Sequence, residues 1–163
     1  MCNPSLAIDL VIFSGKDHIW LVRRKDTNQL AVMGGFVNVG ESTEEAVKRE
    51  LKEETGLTLK DPPVLFGIYS DPRRDNRRHT ASAAYAIHLD GSEYPKASDD
   101  VKAVERVPIT EIDTKDFFCD HKTIIMDYLK LLDGKKSASD FVSSLGDFAP
   151  DIQRSICLPF TAP

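Results

Sequence analysis

The chain has little cysteine, no long apolar run and no excess of positive charge. Its three cysteines, at positions 2, 119 and 157, are scattered and odd in number. No two lie at the spacing of a zinc pair and the histidines complete no such site, which sets aside a zinc-built fold and a disulfide framework. Scattered thiols fit a reduced protein, and a cytoplasmic location is the expectation. No stretch approaches the roughly 18 consecutive apolar residues of a membrane-crossing helix. The first residues lack the basic region and apolar core of a secretory leader. A net charge of -5 and a pI near 5.4 argue against a nucleic-acid or membrane-surface partner. Neither repeats nor an interdomain linker is visible. What remains is 163 residues of ordinary globular composition, enough for one domain with a proper core.

What the chain does have is concentrated in residues 35–57. Glu50, Glu53 and Glu54 stand at i, i+3 and i+4, which on a helix places three carboxylates on one face. Massed like charge destabilises a helix unless a cation neutralises it. Carboxylate oxygens suit a hard divalent ion, Mg²⁺ or Mn²⁺, which also binds phosphate oxygens. The helix itself is well specified: Ser42 and Glu45 have the spacing of a capping box, Glu44 and Glu45 favour the macrodipole, and Gly56 ends it. Ala46, Val47 and Leu51 supply its apolar stripe. Glu41 is placed to pair with Arg49, and Gly34 and Gly35 are expected to form a sharp turn that approaches metal-bound phosphates closely.

Around this segment, residues 5–13 and 18–22 read as strands joined by a turn at 14–17. Residues 64–69, 80–89 and 101–107 read as further strands, the second of them by its period-2 alternation. Residues 120–133 predict a second amphipathic helix, with Ile124, Ile125, Tyr128, Leu129 and Leu132 on one face and Gly134 as its stop. Strands interleaved with two helices give an α/β layered domain. The other informative segment is 70–79, with arginines at 73, 74, 77 and 78 and His79, directly before a strand. Guanidinium forks match phosphate oxygens, so this loop is a candidate diphosphate binder.

Residues 35–57 fit every fixed position of G-x5-E-x7-R-E-U-x-E-E-x-G-U, where U is a bulky aliphatic residue, and so resemble the signature of the Nudix hydrolases. The resemblance covers about residues 5–132 and implies a Nudix-type α/β/α sandwich with a mixed β-sheet over residues 1–133. Residues 134–163 would be a docked or partly ordered tail. Pro72, fifteen residues beyond the signature, and the run Ser70-Asp71-Pro72 followed by Arg74, Asp75, Arg77 and His79 resemble the ADP-ribose pyrophosphatase subgroup. So do Asp99-Asp100 and Asp120-His121. Departures are Val32-Met33 where the family carries Leu-Pro before the two glycines, and Asn76 and Arg78 where it carries proline and glycine.

The resemblance implies metal-dependent hydrolysis of a nucleoside diphosphate linked to another group, foremost ADP-ribose to AMP and ribose 5-phosphate. NADH, nucleotide sugars, nucleoside triphosphates and a nonhydrolytic ADP-ribose sensor stand as alternatives. Glu50, Glu53, Glu54 and Gly35 would hold Mg²⁺ (or Mn²⁺), with Glu53, Glu54 and Arg49 catalytic. Arg23, Arg24, Gly34, Arg74, Arg77 and His79 would bind substrate, and Glu41 and Pro72 would support them. The general base is open among Glu53, Glu54, Glu93, Asp99 and Asp100. One of Arg23 and Arg24 should face the cleft, since neighbours on a strand alternate. Phe13, Phe36 and Tyr69 are each assigned to the core before a role against a base. A homodimer fits the family.

Overall fold

A computed structural model describes residues 3–96 and 102–134. Its centre is β1, Ser5–Ser14, whose residues from Ala7 onward are all buried. A positive-φ glycine, Gly15, turns the chain into β2, His18–Arg23, antiparallel to the end of β1. β3 (Leu30–Ala31) pairs with β2, and β4 (Met33–Phe36) pairs with the first half of β1. After helix α1 (Thr43–Thr55), β5 (Val64–Tyr69) forms the sheet edge and β6 (Thr80–Leu89) runs parallel to β1 along its whole length. β7 (Ala103–Pro108) closes on β2, followed by a 3₁₀ turn at Ile109–Thr114 and helix α2, His121–Leu132. The α/β class with one mixed sheet is as expected. The short strands β3 and β4 go beyond the sequence reading.

Period 2 in β1 decides what lies on each face. Ile8, Leu10 and Ile12 join Ala46, Val47 and Leu51 of α1 in one core, with Met33, Tyr85 and Ile87. Ala7, Asp9, Val11 and Phe13 take the opposite face and are also buried. Asp9 is the exception in chemistry, a carboxylate inside an apolar strand, and its partners define the candidate site below.

α1 begins as its sequence dictates. The Ser42 hydroxyl accepts from the Glu45 backbone N–H at 3.2 Å, and the Glu45 carboxylate accepts from the Ser42 N–H at 2.8 Å. Gly56 ends the helix in the left-handed region at φ 73°, its N–H donating to the Lys52 carbonyl. Ser42→Ala is expected to lower unfolding free energy by about 1 kcal/mol, read as a shifted urea midpoint with unchanged slope.

The chain divides after Met126 into two compact units. The second enters the described residues only as 127–134, where the last turns of α2 end at Gly134, φ 67°. The proposed tail, residues 135–163, lies outside the described residues, as does Val101 of the expected strand 101–107. No helix among the described residues is long and apolar enough to cross a membrane.

Candidate active site

α1 brings Arg49, Glu50 and Glu54 against the β4 backbone, with Glu53 beside them on the same face. Arg49 is the hub. Its Nε and Nη2 donate to the two Glu41 oxygens at 2.7 and 2.9 Å, and Nη2 also donates to the Phe36 carbonyl at 3.0 Å. Nη1 reaches Glu50 at 2.6 Å and Glu53 at 3.2 Å. The Arg49 hydrogen bonds hold the Glu41 carboxyl down to about 2, helped by the Asn38 N–H. The pairing of Glu41 with Arg49 expected from sequence is thus present.

Gly34 and Gly35 do not form the expected sharp turn. They lie in β4, opposite Asp9 and Ile8 of β1. Gly34 has φ 147°, and a Cβ on it would sit 2.1 Å from the Ile8 carbonyl oxygen. At Gly35 a Cβ would sit 2.1 Å from Glu50 Oε1. The glycines are therefore needed for close approach, with the strand on one side and the carboxylate helix on the other. The Gly34 N–H donates to Glu54 Oε2 at 3.0 Å, which fixes Glu54 beneath this strand.

A cavity of about 410 Å³ opens over Gly34, Gly35, Phe36 and Glu54. Arg24 and Arg77 line it, their guanidinium carbons 4.0 and 5.0 Å from the Phe118 ring centre. Both are already ion-paired: Arg24 with Asp26 at 2.9 and 2.5 Å, Arg77 with Asp75 at 2.9 and 2.8 Å. Arg23 turns the other way, to Glu105 at 2.8 Å and the Asn28 carbonyl at 2.9 Å, and is not a cavity residue. Strand alternation thus selects Arg24 and excludes Arg23.

The arginine loop is more differentiated than its sequence suggests. Asp71–Arg74 is a β-turn closed by Arg74 N–H to the Asp71 carbonyl at 2.9 Å, with Pro72 at the second position, where its fixed φ belongs. Arg73 is exposed and bonded to Asp71. Arg74 lines the cavity, as expected of a substrate-binding residue, but it is already engaged. Its side chain is 6% exposed and clamped between Asp120 (2.8 Å, twice) and Asp9 (2.9 Å), so its fork is spent on the protein and not offered to a phosphate. Burial works against its charge, yet the Asp120 hydrogen bonds and Asp9 outweigh this and raise its pKa. His79 is likewise not a cavity residue; its Nε2 sits 3.3 Å from the Ser70 carbonyl. Arg78 lies over the Phe36 ring, 5.2 Å from its centre.

Other candidates separate cleanly. Glu93 accepts from Lys60 at 2.6 Å and lines a different cavity of about 280 Å³, away from Glu53 and Glu54. Asp99 and Asp100 lie outside the described residues. Phe13 is buried and stacked on His88 at 4.8 Å, as a core residue should be. Tyr69 packs by Gly67, outside the 410 Å³ cavity. Phe36, assigned to the core by sequence, is instead 43% exposed on that cavity.

Asp9, Phe118 and His121 also line the cavity and were not chosen from sequence as site residues. His121 Nδ1 accepts the Val32 N–H at 3.1 Å, which puts the ring proton on Nε2, 3.8 Å from Asp9 Oδ1. Burial pushes the His121 pKa down, so the ring is neutral. The available signal was the charged residue within the run 7–13, otherwise wholly apolar.

Among the described residues no three His, Cys, Asp or Glu side chains converge on a single point as a metal cage. The reason is visible: Arg49 draws Glu50 and Glu53 while Gly34 draws Glu54. The donor set still fits a hard divalent ion, because three carboxylates share one helical face and Glu54 borders the cavity.

The NUDIX domain family model matches residues 3–128. An ADP-ribose pyrophosphatase of Methanocaldococcus jannaschii is 41% identical over 136 residues, covering 81% of this chain and 77% of that protein. A MutT/nudix family protein of Enterococcus faecalis superposes with a TM-score of 0.72 at 26% identity, covering 90% of this chain and 69% of the other. The NUDIX domain of Shewanella oneidensis NrtR, solved with ADP ribose, gives a TM-score of 0.73 at 21% identity, covering 81% and 90%; at that identity it speaks for the fold.

Proposed function

Because the chain belongs to the NUDIX domain family, we propose that it is a metal-dependent pyrophosphohydrolase whose foremost substrate is ADP-ribose, cleaved by water to AMP and ribose 5-phosphate. The observation that carries this reading is the placement of Glu54, at the end of the carboxylate face, in the cavity that Arg24, Arg77 and Phe118 also line. The 41% identity to an ADP-ribose pyrophosphatase supports the choice of substrate.

Glu50, Glu53 and Glu54 would hold Mg²⁺ or Mn²⁺, and Gly35, pressed on Glu50, would bring its backbone to the same place. Bound there, such an ion neutralises diphosphate oxygens and lowers the pKa of water. Arg49 holds Glu41, Glu50 and Glu53 in register, and Glu50 and Glu53 would exchange its hydrogen bonds for an ion if they held one. Glu53, with its side chain 60% exposed, would take the proton of the attacking water. Gly34 would meet the substrate through the backbone that lines the cavity, while Arg24 and Arg77 wall it with guanidinium faces held by Phe118. His79 and Pro72 shape the loop.

A cytoplasmic location and a homodimer belong to the same reading. The exposed Val64, Leu65 and Ile68 of edge strand β5 are the surface that supports self-association. The deciding experiment is a substrate panel with Mg²⁺ or Mn²⁺: ADP-ribose, NADH, a nucleotide sugar and nucleoside triphosphates, with products separated by chromatography. AMP and ribose 5-phosphate are expected from ADP-ribose at the highest kcat/KM. Faster turnover of another member would discard the substrate, and tight ADP-ribose binding without products would discard the hydrolase.

A further inference from the structure

The loop at 71–78 carries four arginines, and the structure gives three of them to carboxylates. Arg73 is bonded to Asp71, Arg74 to Asp9 and Asp120, and Arg77 to Asp75. On the facing wall Arg24 is bonded to Asp26. Arg78 differs. Among the described residues it has no carboxylate partner, and its guanidinium rests on the face of Phe36, 5.2 Å from the ring centre. A guanidinium held over an aromatic face by cation–π attraction spends none of its five N–H donors on a carboxylate. The ring therefore holds the group while leaving donors for an anion.

The place it is fixed in is informative. Phe36 lines the cavity, and Arg78, itself outside the lining, reaches it through this ring; Phe36 also follows Gly35, whose α-carbon abuts the Glu50 carboxylate. The Phe36 carbonyl is held by Arg49, so the ring is anchored to the carboxylate helix from below. We propose that Arg78, braced on Phe36, is the arginine of this loop that binds the substrate diphosphate, in place of Arg74 and Arg77. The assignment rests on the pyrophosphohydrolase reading and concerns a residue that departs from the family's usual glycine. Arg77 and Arg24 remain as cavity walls whose charge Asp75 and Asp26 neutralise.

The test compares wild type with Arg78→Gln, Arg78→Lys and, as a control for loop charge, Arg73→Gln, all as full chains. Steady-state kinetics on ADP-ribose are paired with calorimetric titration of inorganic pyrophosphate and the divalent ion. Arg78→Gln is expected to raise KM about tenfold with kcat within about threefold, and to weaken pyrophosphate by a similar factor. Arg78→Lys should recover part of both, because it keeps the charge and loses the planar stack. Arg73→Gln should change neither. Unchanged KM and pyrophosphate affinity in Arg78→Gln would overturn the assignment, as would equal losses in Arg73→Gln. If wild type fails to cleave ADP-ribose, the functional reading falls, and the pyrophosphate titration still decides the role of Arg78.

Discussion

Glu54→Gln is expected to reduce kcat on the diphosphate substrate by on the order of 10²–10³-fold while leaving the fold intact. The substitution keeps the side chain's length and one carbonyl oxygen. The Gly34 N–H, which now donates to Glu54 Oε2 at 3.0 Å, therefore keeps an acceptor. What is lost is the negative charge at the one member of the carboxylate face that borders the cavity. An amide is a poor ligand for a hard divalent ion, so affinity for Mg²⁺ or Mn²⁺ should fall along with kcat. The measurement is kcat against metal concentration, beside a thermal melt. A kcat within threefold of wild type at saturating metal would remove Glu54 from the machinery. A collapsed melting temperature would instead show that its bond to β4 is chiefly structural.

Glu54 was legible because α1 is a local structure. The Ser42–Glu45 box, the acidic first turn and the Gly56 stop all act within a few residues, and each is present as read. The same holds for β1, β2, β5 and β6, each read from a run of consecutive residues. What could not be read is what depends on distant partners. Two glycines before a helix suggest a turn, and only the pairing of β4 with β1 converts them to a strand pressed between Ile8 and Glu50. Four arginines in one loop look alike in sequence. They differ because Asp9 and Asp120, respectively 65 and 46 residues from Arg74, claim one of them. Phe36 was assigned to the core because aromatic residues usually bury, whereas its strand ends at a cavity wall. The charged Asp9 in a buried strand was the one long-range cue on the page, since a lone carboxylate in such a place demands a cation.

That demand sets the second large effect. Arg74→Met is expected to lower unfolding free energy by about 3–5 kcal/mol, because it leaves Asp9 and Asp120 facing each other without their shared counter-charge. Their side chains are only 10% and 23% exposed, so water cannot readily replace the guanidinium. His121 beside Asp9 is no substitute, since its Nε2 lies 3.8 Å from Asp9 Oδ1 and burial opposes its charging. Arg74 also ties three elements together: the 71–78 loop by its backbone, β1 through Asp9 and the start of α2 through Asp120. Losing it should therefore release the loop and raise KM by displacing Arg78 from Phe36. The triple variant Asp9→Asn, Arg74→Met, Asp120→Asn separates charge from shape. If unpaired charge is the cause, urea denaturation should return most of the lost stability in the triple variant, while KM stays high because the tether is still absent. Equal instability in the single and triple variants would show that the guanidinium acts by packing rather than as a counter-ion. A single variant as stable as wild type would mean that the two carboxylates find protons or water, and that the buried array is not what holds the loop.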